Sequence, residues 1–322
     1  MTMIINGRTA LYGIIGNPVS HSLSPAMHNA AFADLGENRV YLPFPVLDLE
    51  AGAQGLKALG VLGASVTIPY KEAVIPLLDE IDSVARQIGA VNTLEIKDVS
   101  GKKHLCGSNT DWVGANRALA EKVSLRGASV VLLGAGGSAR AIGFGLQQQG
   151  AQVVLCSRTE SRGRALAADL DCLWCPLADV DTLQGEVLIN ATSVGMQPES
   201  DASPVPATIL SCFQVVMDIV YAPLATRLLR EAEAAGCQVI NGLEMLLYQG
   251  VAQFELWTGK PAPVELMREK LYQATGNVLR FEPQDFESLS RIEEAYSEVV
   301  LMREKLSPAG NELRLKSGKR KR

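Results

Sequence analysis

Lys71 and Asp111 are the residues whose types and surroundings best fit proton-transfer chemistry. Lys71 ends the motif SVTIPYK (65–71), just after a short apolar strand, and Asp111 ends the motif SNTD (108–111). A lysine ammonium can hydrogen-bond a substrate carbonyl oxygen and exchange a proton with it. A nearby carboxylate would hold that lysine charged and correctly aimed. The alternatives are an exposed lysine at a helix start and a carboxylate that caps the next helix.

Polar residues at two other positions could recognise a ligand. Ser22 and Ser24, in HSLSP, lie at the mouth of an expected helix, where both hydroxyls can donate to one carboxylate. Helix capping explains Ser24 but not Ser22. Asn92, in GAVNT, interrupts an apolar strand, which is costly unless its amide is bonded. Recognition of a substrate hydroxyl is one role for this amide, and a structural hydrogen bond is the other.

A glycine-rich stretch, SVVLLGAGGSARAIGFGLQQQGAQVVLCSRT (129–159), predicts strand, turn, helix and second strand. Gly134 permits the tight turn, Gly136 lets backbone N–H groups approach a pyrophosphate, and Ala139 lets the helix pack close to the strand. The N–H groups and dipole at the start of the helix favour phosphate charge. The stretch therefore predicts a dinucleotide-binding βαβ unit.

The end of this unit indicates which dinucleotide is bound. An acid after the second strand would bond the ribose 2′-OH of NAD, but here Ser157, Arg158 and Thr159 are followed by Arg162 and Arg164. Because a guanidinium matches phosphate geometry, we predict NADP as the cofactor. Solvated surface charges are the alternative, although cations at a helix start are disfavoured unless an anion joins them.

Length and composition indicate an ordinary soluble globular protein with about two domains. The 322 residues are 47% hydrophobic and 20% charged, and the net charge of −5 argues against a nucleic-acid partner. The start of the chain lacks the pattern of a signal peptide, and no apolar run reaches the roughly 18 residues that span a bilayer. The six cysteines are scattered. We therefore expect a cytoplasmic protein with no membrane contact.

Cys172 and Cys175 form a C-x-x-C pair, which fits a redox pair or half of a zinc site. No second C-x-x-C is present, and the three histidines lie far away in sequence. We therefore expect ordinary cysteines and no metal.

Strand and helix signals alternate along most of the chain. Strands are expected at 11–15, 40–46, 64–68, 91–96, 130–133, 153–156, 187–190, 215–219 and 238–240. Helices are expected at 24–35, 48–59, 71–78, 81–88, 243–258 and 263–274, with Ser24 as an N-cap before Pro25. Strands separated by helices at this spacing favour parallel sheets.

The predicted fold is α/β with two domains and a cleft between them. Residues 1–111 would form an α/β substrate-binding domain, completed by returning helices in 243–274. Residues 112–242 would form a Rossmann-type, doubly wound NADP-binding domain. Residues 275–322 would be a charged, partly disordered extension, with room for one more helix before the basic end LKSGKRKR. A nucleic-acid or membrane contact is the weaker interpretation of that end.

Motifs in successive elements then match one known family. GNPVSHSLSPAMHNAAF, SVTIPYKE, GAVNT, NTD, GAGGSAR, SRT, NATSVGM, DIVYAPLAT and NGLEMLLYQG follow in order between Leu11 and Ala274. Together they resemble shikimate dehydrogenase. The resemblance implies reversible NADPH-dependent reduction of 3-dehydroshikimate to shikimate, in chorismate and aromatic amino acid biosynthesis, without a metal. A homodimer is also compatible with the resemblance.

The resemblance implies a role for each matched residue. Lys71 and Asp111 would be the catalytic pair, and the substrate carboxylate would be held by Ser22 and Ser24, with Tyr221 nearby. The ring hydroxyls would be bound by Thr67, Asn92, Asp111 and Gln249. The phosphate loop would comprise Gly134, Ala135, Gly136, Gly137, Ser138 and Ala139. The 2′-phosphate clamp would comprise Arg158, Thr159 and Arg162, next to Ser157. Other cofactor contacts would come from Thr192, Ser193, Ile219, Gly242 and Met245.

Three residues depart from the family pattern. Ser65 and Ser157 stand where the family usually has asparagine, and Trp112 stands where it usually has glycine. Ser65 and Trp112 bear on substrate fit, and Ser157 bears on cofactor choice.

Two other functions are considered. A quinate/shikimate dehydrogenase with broader substrate or NAD use is disfavoured by Ser24 and Arg158. A non-catalytic NADP-sensing protein would be expected to lose the Lys71–Asp111 pair, which is present.

Overall fold

Two six-stranded sheets form the framework of the protein, in a computed structural model that describes residues 5–278. The first sheet has the order β2-β1-β3-β5-β6-β4. Its strands are β1 (Ala10–Gly16), β2 (Arg39–Pro45), β3 (Gly63–Val66), β4 (Glu80–Ile81), β5 (Thr93–Val99) and β6 (Lys102–Ser108).

The first sheet is mixed, and the expectation of a parallel sheet here was wrong. β1 runs parallel to β2 and β3, but β5 runs antiparallel to both β3 and β6. The physical reason is a two-residue turn, Ser100–Gly101, with positive φ at both residues (54° and 81°). Such a turn joins antiparallel neighbours directly, with no crossover helix. The sequence analysis missed β6, the strand that leads to Asp111.

The second sheet is parallel throughout, with the order β12-β11-β10-β7-β8-β9. Its strands are β7 (Ser129–Leu133), β8 (Gln152–Ser157), β9 (Leu173–Pro176), β10 (Val187–Asn190), β11 (Val215–Asp218) and β12 (Gln238–Ile240). Counted within this sheet, the order is that of a doubly wound dinucleotide-binding fold. In such a sheet the order reverses between β7 and β10, and ligands bind at the carboxyl ends of these strands.

Helices cover both sheets. They are α1 (Ser24–Asp34), α2 (Leu49–Ala58), α3 (Ser83–Ile88), α4 (Asp111–Ala120), α5 (Gly137–Gln148), α6 (Glu160–Asp169), α7 (Arg227–Ala234), α8 (Gly242–Thr258) and α9 (Val264–Val278). Leu243, Leu247 and Phe254 of α8 pack in one apolar cluster with Tyr12 and Phe32 of the first sheet and α1. The described residues belong to one compact unit, and the domain boundaries at 111 and 242 stay a prediction.

Two local predictions need correction. The segment 71–78 is not a helix but a series of turns with one short 3-10 helix at Ile75–Leu77, because the Lys71 carbonyl accepts the Val91 N–H. Leu23, not Ser24, holds the N-cap position of α1, and Ser22 Oγ accepts the Ser24 N–H at 3.3 Å. Ser22 therefore takes the capping role that was assigned to Ser24.

The start of helix α4 also differs from the alternative in which the Asp111 carboxylate caps this helix. Thr110 is at the N-cap, Asp111 is the first helical residue, and the Asp111 N–H donates to Asn109 Oδ1 at 2.9 Å. The Asp111 carboxylate is therefore not used to cap the helix.

The C-terminal predictions lie largely outside the described residues. Helix α9 continues to Val278, four residues beyond the expected end, and the proposed further helix and basic end lie outside the described range. No helix among residues 5–278 is long and apolar enough to cross a membrane.

His28 of α1 is a titratable group in an aromatic core. It is fully buried, its ring stacks on Tyr41 with centroids 4.5 Å apart, and it lies 5.4 Å from the Trp257 ring. Burial lowers the pKa of the imidazole to about 3. The folded chain therefore keeps His28 neutral at pH values where an exposed histidine is charged.

We predict that His28→Phe makes folding less sensitive to acid. Below about pH 6.5 the unfolded chain binds a proton at His28 that the folded chain does not, so stability falls with pH by up to about 1.4 kcal/mol per unit. Urea unfolding between about pH 7 and pH 4.5 should show the variant gaining on the wild type as pH falls. Asp218, whose pKa burial raises to about 6, is common to both proteins and cancels. A pH-independent difference would contradict the prediction.

Candidate active site

Lys71 and Asp111 form a partly buried ion pair. Lys71 Nζ lies 2.7 Å from Asp111 Oδ2, and the side chains keep 16% and 5% of their area exposed. Lys71 is placed by the loop after β3, whose backbone is held by the Val91 N–H. Asp111 is placed by β6 and by the Asn109 amide at the start of α4. Charged groups that are removed from water in this way need partners of opposite charge. Here Lys71 and Asp111 are each other's partner.

The second carboxylate oxygen of Asp111 is also satisfied. Asn92 Nδ2 donates to Asp111 Oδ1 at 2.8 Å and lies 3.3 Å from Gln249 Oε1. The Asn92 Oδ1 accepts the Thr110 N–H at 2.7 Å, so the amide has a defined orientation. With both oxygens engaged, the carboxylate cannot rotate away from Lys71.

Gln249 reaches this group because α4 and α8 pack closely at Gly114. A Cβ at Gly114 would lie 2.7 Å from the Met245 carbonyl oxygen and 2.8 Å from the Gln249 N. Only glycine permits this approach. Lys71, Asp111, Asn92 and Gln249 are thus brought together by the fold.

The other proposed substrate ligands lie near the start of α1 and in two loops. Ser24 is 2% exposed and Ser22 is half-buried, while Thr67 follows β3 with its methyl group against Gly16. Burial raises the pKa of the Tyr221 hydroxyl to about 12, so it stays a donor. Among the described residues, no direct hydrogen bond joins these four side chains to the Lys71 group.

Trp112, the bulky residue beside Asp111, turns toward α5. Its ring meets the Phe144 ring edge-on at 5.8 Å, with an interplanar angle of 85°. The side chain is thus used in packing between α4 and α5.

The glycine turn after β7 fits a phosphate-binding loop. Gly134 has φ of +117°, and a Cβ there would lie 2.9 Å from the Ala191 carbonyl oxygen. Gly136 is the N-cap of α5 and offers no side chain, so the N–H groups of the first turn face outward for an anion. Ala139 is fully buried against the sheet.

This loop adjoins the Lys71–Asp111 pair. Lys71 Nζ lies 3.5 Å from Ser138 Oγ, and a Cβ at Gly137 would lie 3.4 Å from Lys71 Cβ. A group bound at the loop, which also includes Ala135, would therefore stand next to Lys71.

The residues after β8 fit a phosphate-binding cluster. Arg158 and Arg162 are exposed, and within residues 5–278 neither guanidinium forms an ion pair. Arg164, by contrast, lies 4.3 Å from the Trp174 ring centre and pairs with Glu160 at 2.8 Å. Two cations are thus left for a ligand phosphate.

The Ser157 side chain forms two hydrogen bonds next to this cluster. Its hydroxyl is buried, accepts the Trp174 Nε1–H at 2.9 Å and donates to the Thr159 carbonyl at 3.0 Å. The serine therefore shapes the turn that carries Arg158 and leads into helix α6, where Arg162 lies.

A buried network fixes the loops after β10 and β11. Asp218 accepts hydrogen bonds from Asn190 Nδ2 at 2.9 Å, the Val220 N–H at 3.0 Å and Thr226 Oγ1 at 2.7 Å. Asn190 Oδ1 in turn accepts the Thr192 hydroxyl at 2.6 Å.

The remaining proposed cofactor contacts sit on these loops and on the start of α8. Ser193 is exposed beside Thr192, while Gly242 packs directly on the Ile219 carbonyl, where a side chain would not fit. Met245, one turn further along α8, is 6% exposed.

The C-x-x-C pair is divided between a loop and a strand. Cys172 precedes β9, and Cys175 lies within it, opposite Cys156 of β8. Among residues 5–278 no group of three or more potential ligand side chains is arranged to hold a metal ion.

Sequence analysis missed the polar residues beneath the site. Thr93 and Gln253 are buried and hydrogen-bonded to Asn92, and the buried Tyr41 donates to Ser65. Gln253 had a detectable signal, since it lies four residues after Gln249 on the same face of one helix. Tyr41 had none, because a tyrosine in an apolar strand is ordinary core.

Comparison with known proteins agrees with this geometry. The family models described as "Shikimate dehydrogenase substrate binding domain" and "Shikimate 5'-dehydrogenase C-terminal domain" match residues 14–94 and 242–272. A shikimate dehydrogenase (NADP(+)) of Methanothermobacter thermautotrophicus is 46% identical over 280 residues, which cover 83% of this chain and 98% of the relative.

Two solved structures resemble this chain over most of its length. A shikimate dehydrogenase crystallised with NADP+ superposes with a TM-score of 0.77 at 41% identity, covering 84% of this chain and 98% of its own. The Thermus thermophilus enzyme, in complex with NADP(H) and shikimate, gives a TM-score of 0.75 at 39% identity, covering 82% and 99%. This chain therefore belongs to the shikimate dehydrogenase family.

Proposed function

We propose that this chain catalyses the reversible NADPH-dependent reduction of 3-dehydroshikimate to shikimate, a step of aromatic amino acid biosynthesis. The observation that carries the proposal is the Lys71–Asp111 pair, 2.7 Å apart and next to the glycine loop, in a member of this family. The curated relative with 46% identity carries the same activity and cofactor in its name.

Lys71 is the proposed proton donor. When bound, NADPH supplies the hydride for the carbonyl carbon, and the loop 134–139 with Arg158 and Arg162 would hold its phosphates. Lys71 stabilises the negative charge that grows on the carbonyl oxygen and gives that oxygen its proton, which makes the hydroxyl. In the reverse direction its neutral amine takes the proton back.

Asp111 and its neighbours aim the lysine. The carboxylate holds the ammonium at 2.7 Å, and Asn92 fixes the carboxylate in turn. We propose that Asn92, Asp111, Thr67 and Gln249 also bind the ring hydroxyls, since each can accept or donate a hydrogen bond there.

Ser22, Ser24 and Tyr221 are the proposed carboxylate ligands. The serines stand at the start of α1, where the helix dipole attracts an anion. The raised pKa of Tyr221 keeps its hydroxyl available as a donor.

The location and assembly are proposals as well. All six cysteines of the chain are free thiols, which supports a reducing cytoplasm. A homodimer is the proposed assembly.

Turnover by the purified protein tests the proposal directly. Mixing it with shikimate and NADP⁺ should produce NADPH, followed by its absorbance. Higher kcat/KM with quinate or NAD⁺ would instead favour the broader quinate/shikimate activity. Binding of NADP⁺ without turnover of any of these substrates would favour a sensing protein and overturn the proposal.

Lys71→Ala should lower kcat by about 10²–10⁴-fold while leaving the shikimate KM within a few fold, because a proton-transfer group is lost. Lys57→Ala is a matched control, because this lysine is in helix α2 and pairs at 2.6 Å with Asp79, just before β4. Near-normal turnover of Lys71→Ala, or an equal loss in the control, would contradict the assigned role.

Arg158→Ala should weaken NADP⁺ binding by roughly 10-fold or more, since a charge-assisted contact to phosphate is lost, and leave NAD⁺ binding nearly unchanged. Arg164→Ala is the control, because that guanidinium is already engaged by Trp174 and Glu160. Titrations with both dinucleotides distinguish the two outcomes, and an equal loss for NAD⁺ and NADP⁺ would refute the clamp.

A further inference from the structure

The Gln253 side chain lies between two polar residues that face each other across the first sheet. Ser65 of β3 and Thr93 of β5 are opposite each other in the antiparallel register, so their side chains share one face of the sheet. Gln253, which comes from α8, accepts the Ser65 hydroxyl at 2.7 Å. Its Nε2 donates to Thr93 Oγ1 at 3.0 Å and to the Asn92 carbonyl at 3.2 Å. Gln253 has no exposed area, so it contacts no bound substrate.

These neighbours allow the Gln253 amide only one orientation. The Asn92 carbonyl can only accept a hydrogen bond, so it requires the N–H side of the amide. Ser65 Oγ accepts the Tyr41 hydroxyl at 2.6 Å, which leaves the Ser65 proton for Gln253 Oε1. The two N–H groups of Gln253 therefore point toward Asn92 and Thr93.

This orientation sets the direction of the Thr93 hydroxyl. Because Thr93 Oγ1 accepts from Gln253, its own proton goes to another acceptor. Asn92 Oδ1, at 2.7 Å, is closer than Thr110 Oγ1, at 3.2 Å. Asn92 Oδ1 also accepts the Thr110 N–H at 2.7 Å. With two donors on its oxygen, Asn92 directs its Nδ2 to Asp111 Oδ1, 2.8 Å away.

Gln253 thus holds Asn92 at two points, the backbone carbonyl and, through Thr93, the side-chain oxygen. We propose that Gln253 is a positioning residue for the proton-transfer step. It keeps Asn92 in the orientation that fixes the Asp111 carboxylate, and the carboxylate then aims Lys71. The inference rests on the proposed function.

Gln253→Met tests the proposal, because it keeps the length of the side chain and removes the amide. The strand pairing persists, since the Val66 N–H also bonds the Asn92 carbonyl at 2.8 Å. For shikimate oxidation kcat should fall about tenfold, because misplacement of a reacting group costs rate steeply. The shikimate KM should rise as well, since Asn92 is also a proposed hydroxyl ligand, while the NADP⁺ KM stays within about twofold.

Trp257→Phe is the matched control. Trp257 lies one turn further along α8, and its Nε1–H donates at 3.1 Å to the carbonyl of Leu94, the residue after Thr93 in β5. The control therefore also removes one hydrogen bond between α8 and β5, but none that reaches Asn92. It should lose stability while kcat and both KM values stay within about twofold.

A second substitution tests the route through the Thr93 hydroxyl. Thr93→Val keeps the shape of the side chain and removes only the hydroxyl, so it tests the proposal even where Gln253→Met folds poorly. Its kcat should fall several-fold. Because Gln253 acts through this hydroxyl, the double variant should lose little more activity than Gln253→Met alone.

Three results would overturn the proposal: an unchanged kcat in folded Gln253→Met or in Thr93→Val, the same fall in Trp257→Phe, or losses that multiply in the double variant. Urea unfolding of each variant establishes that the compared proteins are folded. Failure of the wild type to oxidise shikimate would count against the proposed function instead, and so is distinguishable.

Discussion

The structure of the site depends on the cost of keeping one ion pair away from water. A buried carboxylate is tolerated only when its charge and its lone pairs are satisfied. Lys71 satisfies one oxygen of Asp111 and Asn92 satisfies the other. The Thr110 N–H then fixes Asn92. Each of these polar residues provides a hydrogen-bond partner that the preceding one requires. The result is a lysine ammonium held in a defined direction.

The two sheets contribute different parts of this arrangement. The mixed sheet supplies both members of the ion pair, because the β5–β6 hairpin returns the chain to the edge where Lys71 lies. The parallel sheet supplies the glycine turn, whose backbone approaches Lys71 at Gly137. Glycines permit the close backbone contacts around the site. Gly114 lets α4 pack against α8, and Gly242 lets α8 begin against the Ile219 carbonyl. Polar chemistry and close backbone packing thus depend on each other in this site.

The sequence predicted well what is encoded locally. The strand–glycine–helix unit around Gly134 and the alternation of the parallel sheet follow from short-range periodicity and backbone freedom. The segment 71–78 was misjudged because the Lys71 carbonyl accepts the Val91 N–H, and the rest of the segment forms tight turns with one short 3-10 helix. The hydrogen bond between Ser65 and Gln253 could not be predicted from local sequence, since these residues are 188 positions apart and meet only through packing. The roles of the site residues rest on resemblance and geometry and stay predictions.

Helix α8 limits the insertions and deletions that the chain can accept. Gly242 and Met245 lie toward the proposed cofactor side, and Gln249 and Gln253 lie under the proposed substrate, at spacings of three and four residues along one face. An α-helix turns by about 100° per residue, so one inserted or deleted residue would rotate one set away from the other. The helix therefore sets the spacing between the two sets of proposed ligand contacts: its side chains can be exchanged singly, but its length between Gly242 and Gln253 is fixed.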